Sequence, residues 1–197
     1  MFTGIVETLG EIKEISIEKT NRIFLIKSDI TSELKPDESV SHNGICLTVE
    51  KIKKDCYSAT AVLETLEKTT ALLWNPGDFI NLERSMKMNG RIDGHMVQGH
   101  VDGTAGCVNR KDKDGSVDFT FEIDESFAPL IIEKGSVCIN GVSLTAFNVE
   151  RNSFTVTIIP YTFSHTNFKH LMEGDRVNIE FDVLGKYVQR ILNFQQK

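Results

Sequence analysis

Residues 38–83, ESVSHNGICLTVEKIKKDCYSATAVLETLEKTTALLWNPGDFINLE, lie without a gap over residues 135–180, GSVCINGVSLTAFNVERNSFTVTIIPYTFSHTNFKHLMEGDRVNIE. Thirteen of the 46 aligned pairs are identical, and many others exchange one apolar residue for another. The informative matches are Asn43-Gly44 with Asn140-Gly141, Leu47-Thr48 with Leu144-Thr145, and Thr65 with Thr162. Gly77-Asp78 likewise matches Gly174-Asp175, and Asn81 and Glu83 match Asn178 and Glu180. A weaker match, Gly4-Ile5-Val6 with Gly99-His100-Val101, is offset by 95 positions rather than 97, so two residues are gained in between. An ungapped match this long marks a tandem duplication. Two copies cannot stack into a solenoid, so each module of about ninety residues must close on a core of its own.

The local pattern within a module is β. Val117 to Ile123 alternates apolar and polar residues, as does Val177-Asn178-Ile179-Glu180-Phe181. Asn-Gly at 43–44 and 140–141 signals tight hairpins, because both residues tolerate positive φ. Short strands between such turns predict an all-β chain of two closed Greek-key barrels. Short helices interrupt them, one expected near Ser126 to Lys134 with Gly135 as its stop. The boundaries follow: residues 1–90, residues 91–185, and a C-terminal helix over 186–197. In that last segment Tyr187, Val188, Ile191 and Leu192 recur at helical spacing, a stripe that either folds back on its barrel or meets partner helices.

Composition excludes several functions. A formal net charge of −6 disfavours nucleic acid and anionic membranes. The one basic cluster, Lys51, Lys53 and Lys54, reads as a solvated turn. No apolar run approaches the ~20 residues that span a bilayer. Nothing near Met1 reads as an export signal, and Cys46, Cys56, Cys107 and Cys138 form no C-x-x-C pair, so reduced thiols and a cytoplasmic protein are expected. Gly94-His95 and Gly99-His100 invite a metal reading. A five-residue spacing, however, puts the two rings on opposite faces of a strand, so no metal is expected, and one histidine should be packed and the other exposed. The dense glycines from Gly90 to Gly106 fit no phosphate or dinucleotide motif, and Gly90 to Gly94 read as a linker. Comparing the copies gives more. Thr48/Thr145 and Thr65/Thr162 stay alike, as shared recognition would require, whereas Cys46 stands opposite Ser143, as divergent chemistry would require. Both are also small residues that pack readily in a barrel.

Met1 to Glu7, His42-Asn43-Gly44-Ile45-Cys46-Leu47-Thr48-Val49, Gly94 to Gly103 and Asn140-Gly141-Val142-Ser143-Leu144-Thr145 together resemble the riboflavin synthase family over nearly the whole chain. The resemblance implies two six-stranded Greek-key barrels, a homotrimer formed through the C-terminal helices, and no cofactor. It implies the conversion of two 6,7-dimethyl-8-ribityllumazine molecules into riboflavin and 5-amino-6-ribitylaminouracil, between barrels of neighbouring subunits. It leaves association with lumazine synthase open. Carried over residue by residue, it implies that Cys46, His100, Ser143 and Thr145 surround the reacting rings. Ser41, Thr48, Ala61, Leu63 and Thr65 would form the N-terminal lumazine pocket, and Gly99 and Val101 would also bind substrate. Val6, Ile159, Tyr161 and Thr162 would form the C-terminal one, with Phe2 beside the reacting pair. Many members carry two cysteines after the Asn-Gly turn, where this chain has Ile45-Cys46; the second position is the one that faces the ligand. The main rival is a lumazine protein, an optical accessory that binds one lumazine or flavin without turnover and does not keep both histidines of the Gly-His stretch. A flavin barrel of the ferredoxin-reductase class would need a nucleotide-binding domain for which no motif is present.

Overall fold

The computed structural model describes residues 1–195, so Gln196 and Lys197 of the expected C-terminal helix lie outside the described residues. Twelve strands form two closed antiparallel barrels. The first contains β1 (Thr8–Glu18), β2 (Asn21–Lys27), β3 (Ser39–His42), β4 (Ile45–Lys53), β5 (Cys56–Ala61) and β6 (Phe79–Arg84), neighbouring one another in the order β1-β2-β5-β4-β3-β6. The second repeats this order with β7 (Gly103–Lys113), β8 (Ser116–Glu122), β9 (Ser136–Ile139), β10 (Val142–Phe147), β11 (Ser153–Ile158) and β12 (Arg176–Phe181). A one-turn helix follows the fifth strand of each, α1 (Leu63–Lys68) and α2 (Pro160–His165), and α3 (Val183–Gln195) ends the described chain. Equivalent strands start 95 positions apart at Thr8/Gly103 and 97 apart at Ser39/Ser136. The length change therefore lies in the connection from the second strand to the third.

The Asn-Gly turns behave as their chemistry demands. Asn43 and Gly44 have φ of 47° and 82°, and Asn140 and Gly141 46° and 80°, the left-handed pair that matches the twist of a two-residue hairpin. Other local expectations need correction. The segment read as a helix to Lys134 is a 3₁₀ turn over Glu125–Leu130, with Pro129 inside it. The chain then turns through Lys134, itself at positive φ, before Gly135. Lys51 and Lys53 belong to β4, and only Lys54 sits in the turn that follows.

Each barrel has its own apolar core. Phe24, Ile26, Tyr57, Ile80 and Leu82 centre the first, and Phe119, Phe121, Phe154, Phe168 and Phe181 the second. The alternating pattern of β12 predicted one buried face, yet Val177 to Phe181 are all buried. On the polar faces of β12 and β6, Asn178 and Asn81 are covered by the other barrel. Asn81 Nδ2 donates to Asn140 O at 2.8 Å, and Asn178 Nδ2 donates to Asn43 O at 2.8 Å. Asn167 N donates to Asn81 Oδ1 at 2.8 Å, and Thr70 N to Asn178 Oδ1 at 2.7 Å. A Cβ on Gly44 would sit 3.0 Å from Gly141 N, and one on Gly141 would sit 2.9 Å from Gly44 N. The contacts are reciprocal, as an approximate twofold axis through the two turns requires.

The cores differ at one polar pair. His42 is fully buried; its Nδ1 donates to Val40 O at 2.9 Å, so its Nε2 accepts from the Tyr57 hydroxyl at 2.8 Å. Ile139 and Phe154 stand at the equivalent positions. Burial holds the His42 pKa down at about 4, whereas an unfolded chain takes up that proton near 6.5. Between those values the unfolded state binds more protons, so stability should fall as the solution is acidified, by roughly 3 kcal/mol in all. Urea titrations at pH 7 and pH 4.5 should show this loss. The double substitution His42→Ile/Tyr57→Phe, copied from the second barrel, should remove most of it.

Candidate functional site

Two segments leave the barrels they lead into and cross the seam. Phe2 and Val97 pair as an isolated antiparallel bridge, and His95 N donates to Thr3 O at 3.1 Å. Beyond this crossing, Gly4 O accepts from Ser143 N at 2.8 Å, and Gly99 O accepts from Cys46 N at 2.9 Å. The first segment thus lies on β10 of the second barrel, and the second on β4 of the first. Val6 packs on the core of the second barrel and Val101 on that of the first. Gly4 and Gly99 have φ of 77° and 80°, and a Cβ would lie 2.6 Å from Ser143 Cβ and 2.5 Å from Cys46 Cβ. Gly94, read as linker, is a third such contact, since a Cβ there would lie 2.1 Å from Thr3 O. The weak Gly-Ile-Val/Gly-His-Val match is therefore a structural equivalence.

A glutamate on the last strand of each barrel holds its own crossing segment. Glu83 on β6 accepts from Thr3 N at 2.6 Å, Thr3 Oγ1 at 2.8 Å and Gly4 N at 3.0 Å. Glu180 on β12 accepts from the amides of Gln98, Gly99 and His100 at 2.7, 2.9 and 2.9 Å. Burial pushes both carboxyls above their ordinary pKa, opposed by those same donors. Six donors in all converge on the two side chains.

Two equivalent cavities flank the crossing: residues 99–101 wall one directly, and the first segment reaches the other through the Gly4 O–Ser143 N bond. The first, about 260 Å³, is lined by Cys46, Thr65, Gly99, His100 and Val101, together with Ile45, Thr69 and the rim residues Glu64 and Lys68. The second, about 570 Å³, is lined by Ser143, Leu144, Thr145, Ile159 and Thr162, with Phe147, Thr157 and two rim lysines, Lys113 and Lys134. Cys46/Ser143 and Thr65/Thr162 thus occupy equivalent places in the two cavities. Thr48 is exposed on β4, and Leu63 and Tyr161 are exposed at the starts of α1 and α2. Ala61 belongs to the first core, and Ser41 is buried at the seam, its hydroxyl facing Gly141. Phe2 is fully buried with Val97 and Cys138, in contact with Cys46.

The two histidines of the Gly-His stretch separate as expected, His95 buried and His100 exposed. His95, which was not among the residues implied to surround the reacting rings, is chemically the more engaged. Its Nδ1 lies 2.6 Å from Ser143 Oγ. Burial lowers the pKa of the ring below the ordinary histidine value, against the pull of the Asp182 carboxylate. A neutral imidazole that accepts from a serine hydroxyl orients that oxygen and can take its proton. The signal in the sequence was the Gly-His pairing itself. Strand alternation hid it, because this stretch forms a bridge rather than a strand. Further concavities follow the seam near Thr70, Phe79 and His170 and underlie the linker near Arg84 and Lys87.

The family profile for the lumazine binding domain matches the chain twice, over residues 3–85 and 98–182. Riboflavin synthase of Bacillus subtilis (strain 168) is 38% identical over 194 residues, spanning 98% of this chain and 90% of its own. Riboflavin synthase of Brucella abortus (strain 2308) is 36% identical over 202 residues and covers both chains completely. Among solved structures, LumP complexed with riboflavin superposes with a TM-score of 0.87 at 24% identity, over 92% of this chain and 100% of that one. LumP complexed with 6,7-dimethyl-8-(1'-D-ribityl) lumazine gives 0.84 at 25% identity, over 92% and 99%. The site geometry makes its own prediction. In an NMR titration the His95 ring should protonate below pH 6.5, and a midpoint above that value would show that the ring is not buried as described.

Proposed function

The chain belongs to the riboflavin synthase family of duplicated lumazine-binding domains, and we propose that it converts two molecules of 6,7-dimethyl-8-ribityllumazine into riboflavin and 5-amino-6-ribitylaminouracil, the last step of riboflavin formation. The observation that carries this reading is the pair of equivalent cavities, alike at Thr65 and Thr162 and unlike at Cys46 and Ser143. A reaction between two copies of one substrate needs two similar pockets whose reactive groups differ. Exposed apolar side chains beside the cavities, Leu63 on one and Ile159 and Tyr161 on the other, suit the docking of planar rings.

In this reading one lumazine loses a proton from its C7 methyl group, and the resulting carbanion attacks the ring of the other. Eliminations then transfer a four-carbon unit. Cys46 and His100 attend the ring in the first barrel, the thiol either adding to it or shaping the pocket. Ser143, with Thr145, polarises the ring in the second barrel or orients water there, and the neutral His95 relays the serine proton. Such acid–base help is worth about 10²–10⁴-fold, whereas holding two rings in a reactive stack is worth roughly 7–11 kcal/mol. Most of the rate therefore comes from juxtaposition. No metal or redox group is required by the chemistry.

We propose that the stack forms between barrels of neighbouring subunits in a homotrimer. The support is α3, whose Leu184, Tyr187, Val188, Ile191, Leu192 and Phe194 are all exposed in the single chain, a stripe that a helix leaves unburied only at some cost. No helix among the described residues is long and apolar enough to cross a membrane. The unpaired thiols of Cys46, Cys56, Cys107 and Cys138 suit a reducing cytoplasmic setting.

Incubation with 6,7-dimethyl-8-ribityllumazine alone should yield riboflavin at half the lumazine consumed. Lumazine that stays bound and unchanged would instead identify an accessory protein of the LumP kind. His100→Ala and His95→Ala should each lower kcat by about 10²-fold without abolishing turnover. Deleting the residues after Gly185 should cost more, and full activity from a proven monomer would refute the inter-subunit stack.

A further inference from the structure

The two glutamate clasps are crossed with respect to the cavities. Glu83 belongs to the first barrel, but the Thr3–Gly4 segment it holds ends on Ser143 N, in the wall of the second cavity. Glu180 belongs to the second barrel, but the Gln98–His100 segment it holds ends on Cys46 N, in the wall of the first cavity. We propose that Glu83 and Glu180 are positioning residues that act crosswise, Glu83 setting the geometry around Ser143 and Glu180 that around Cys46 and His100.

Three features carry the inference. Both carboxylates are 5% exposed or less, and their segment partners are all donors, so an acceptor on both oxygens is needed. The held backbone has no freedom to compensate, because Gly4 and Gly99 sit at positive φ with β10 or β4 where a Cβ would be. The arrangement also occurs twice, at aligned residues, in copies that differ at the reactive positions. A shift of a few tenths of an ångström in the first segment is passed to the second cavity's wall through the Gly4 O–Ser143 N bond, whereas the second segment is itself a cavity wall. A shift there moves Gly99, His100 and Val101 together. The second end of that segment is tied as well, since Asp102 Oδ2 accepts from Phe181 N at 2.9 Å and pairs with Lys186 at 2.7 Å.

Hydrogen exchange on the full chain tests the crossing without reference to any ligand. Glu180→Gln turns an amide NH₂ toward one of the backbone donors, and it should speed exchange at the Cys46 amide about tenfold or more while leaving Ser143 unchanged. Glu83→Gln should do the reverse. If either glutamine variant does not fold, Glu83→Asp and Glu180→Asp, which keep the charge but retract it, are scored in the same way. Equal loosening of both amides, or loosening confined to the amide of the glutamate's own barrel, would overturn the proposal. The functional half rests on the lumazine reading and is measured separately. With Thr162→Trp filling the second cavity, Glu180→Gln should weaken binding of 6,7-dimethyl-8-ribityllumazine about tenfold; with Thr65→Trp filling the first, it should have no effect. Crossed exchange with no lumazine bound at either cavity would count against the lumazine reading while upholding the clasps.

Discussion

Everything that places the candidate site depends on polar groups buried between the barrels. A carboxylate removed from water is tolerated only where donors surround it, and backbone amides of an irregular segment need acceptors for the same reason. Glu83 and Glu180 meet the crossing segments on those terms, each solving the problem of the other. Asn81 and Asn178 do the same for the carbonyls of the Asn43 and Asn140 turns. Because the asparagine contacts join residues of different barrels, the seam fixes the relative position of the barrels far more sharply than apolar contact would.

The duplication thus serves two purposes. Identical residues of the repeat divide between them: Asn43/Asn140, Asn81/Asn178 and Glu83/Glu180 build the seam, whereas Thr65/Thr162 line the cavities. Where the copies diverge, one of them gains something. His42 and Tyr57 form a buried polar pair opposite Ile139 and Phe154. Asn167 reaches Asn43 Oδ1 at 3.0 Å, whereas Thr70, at the equivalent position, is too short to make that bond. Ser143 meets an imidazole, and Cys46 instead meets Gly99, Phe2 and the backbone of the crossing segment. An approximate twofold axis thereby relates two cavities of unequal size and unlike chemistry.

The barrels and the hairpins at Asn43-Gly44 and Asn140-Gly141 were legible because their signals are local. Positive φ belongs to Asn and Gly wherever they stand, and alternation over seven residues specifies a strand facing a core. The repeat made the two barrels legible together, since a ninety-residue module must bury its own core. The same logic failed at Val177 to Phe181, where alternation spoke for one face and the other barrel and a crossing segment covered the second. It also failed at Ser126 to Lys134, where Pro129 and a left-handed Lys134 allow only a short 3₁₀ turn.

Of the candidate site, the residue types and their equivalence across the repeat came from sequence: Cys46 against Ser143, Thr65 against Thr162, and the two histidines. Which segment meets which barrel was decided only by tertiary structure, because chain order and spatial order disagree. Residues 2–6 precede the first barrel yet lie on the second, and residues 97–101 lead into the second yet lie on the first. No periodicity records such a crossing. It is set by long-range hydrogen bonds between groups some eighty residues apart, Glu83 to Thr3 and Glu180 to Gln98, whose strength exists only once the barrels have closed and water has left the seam.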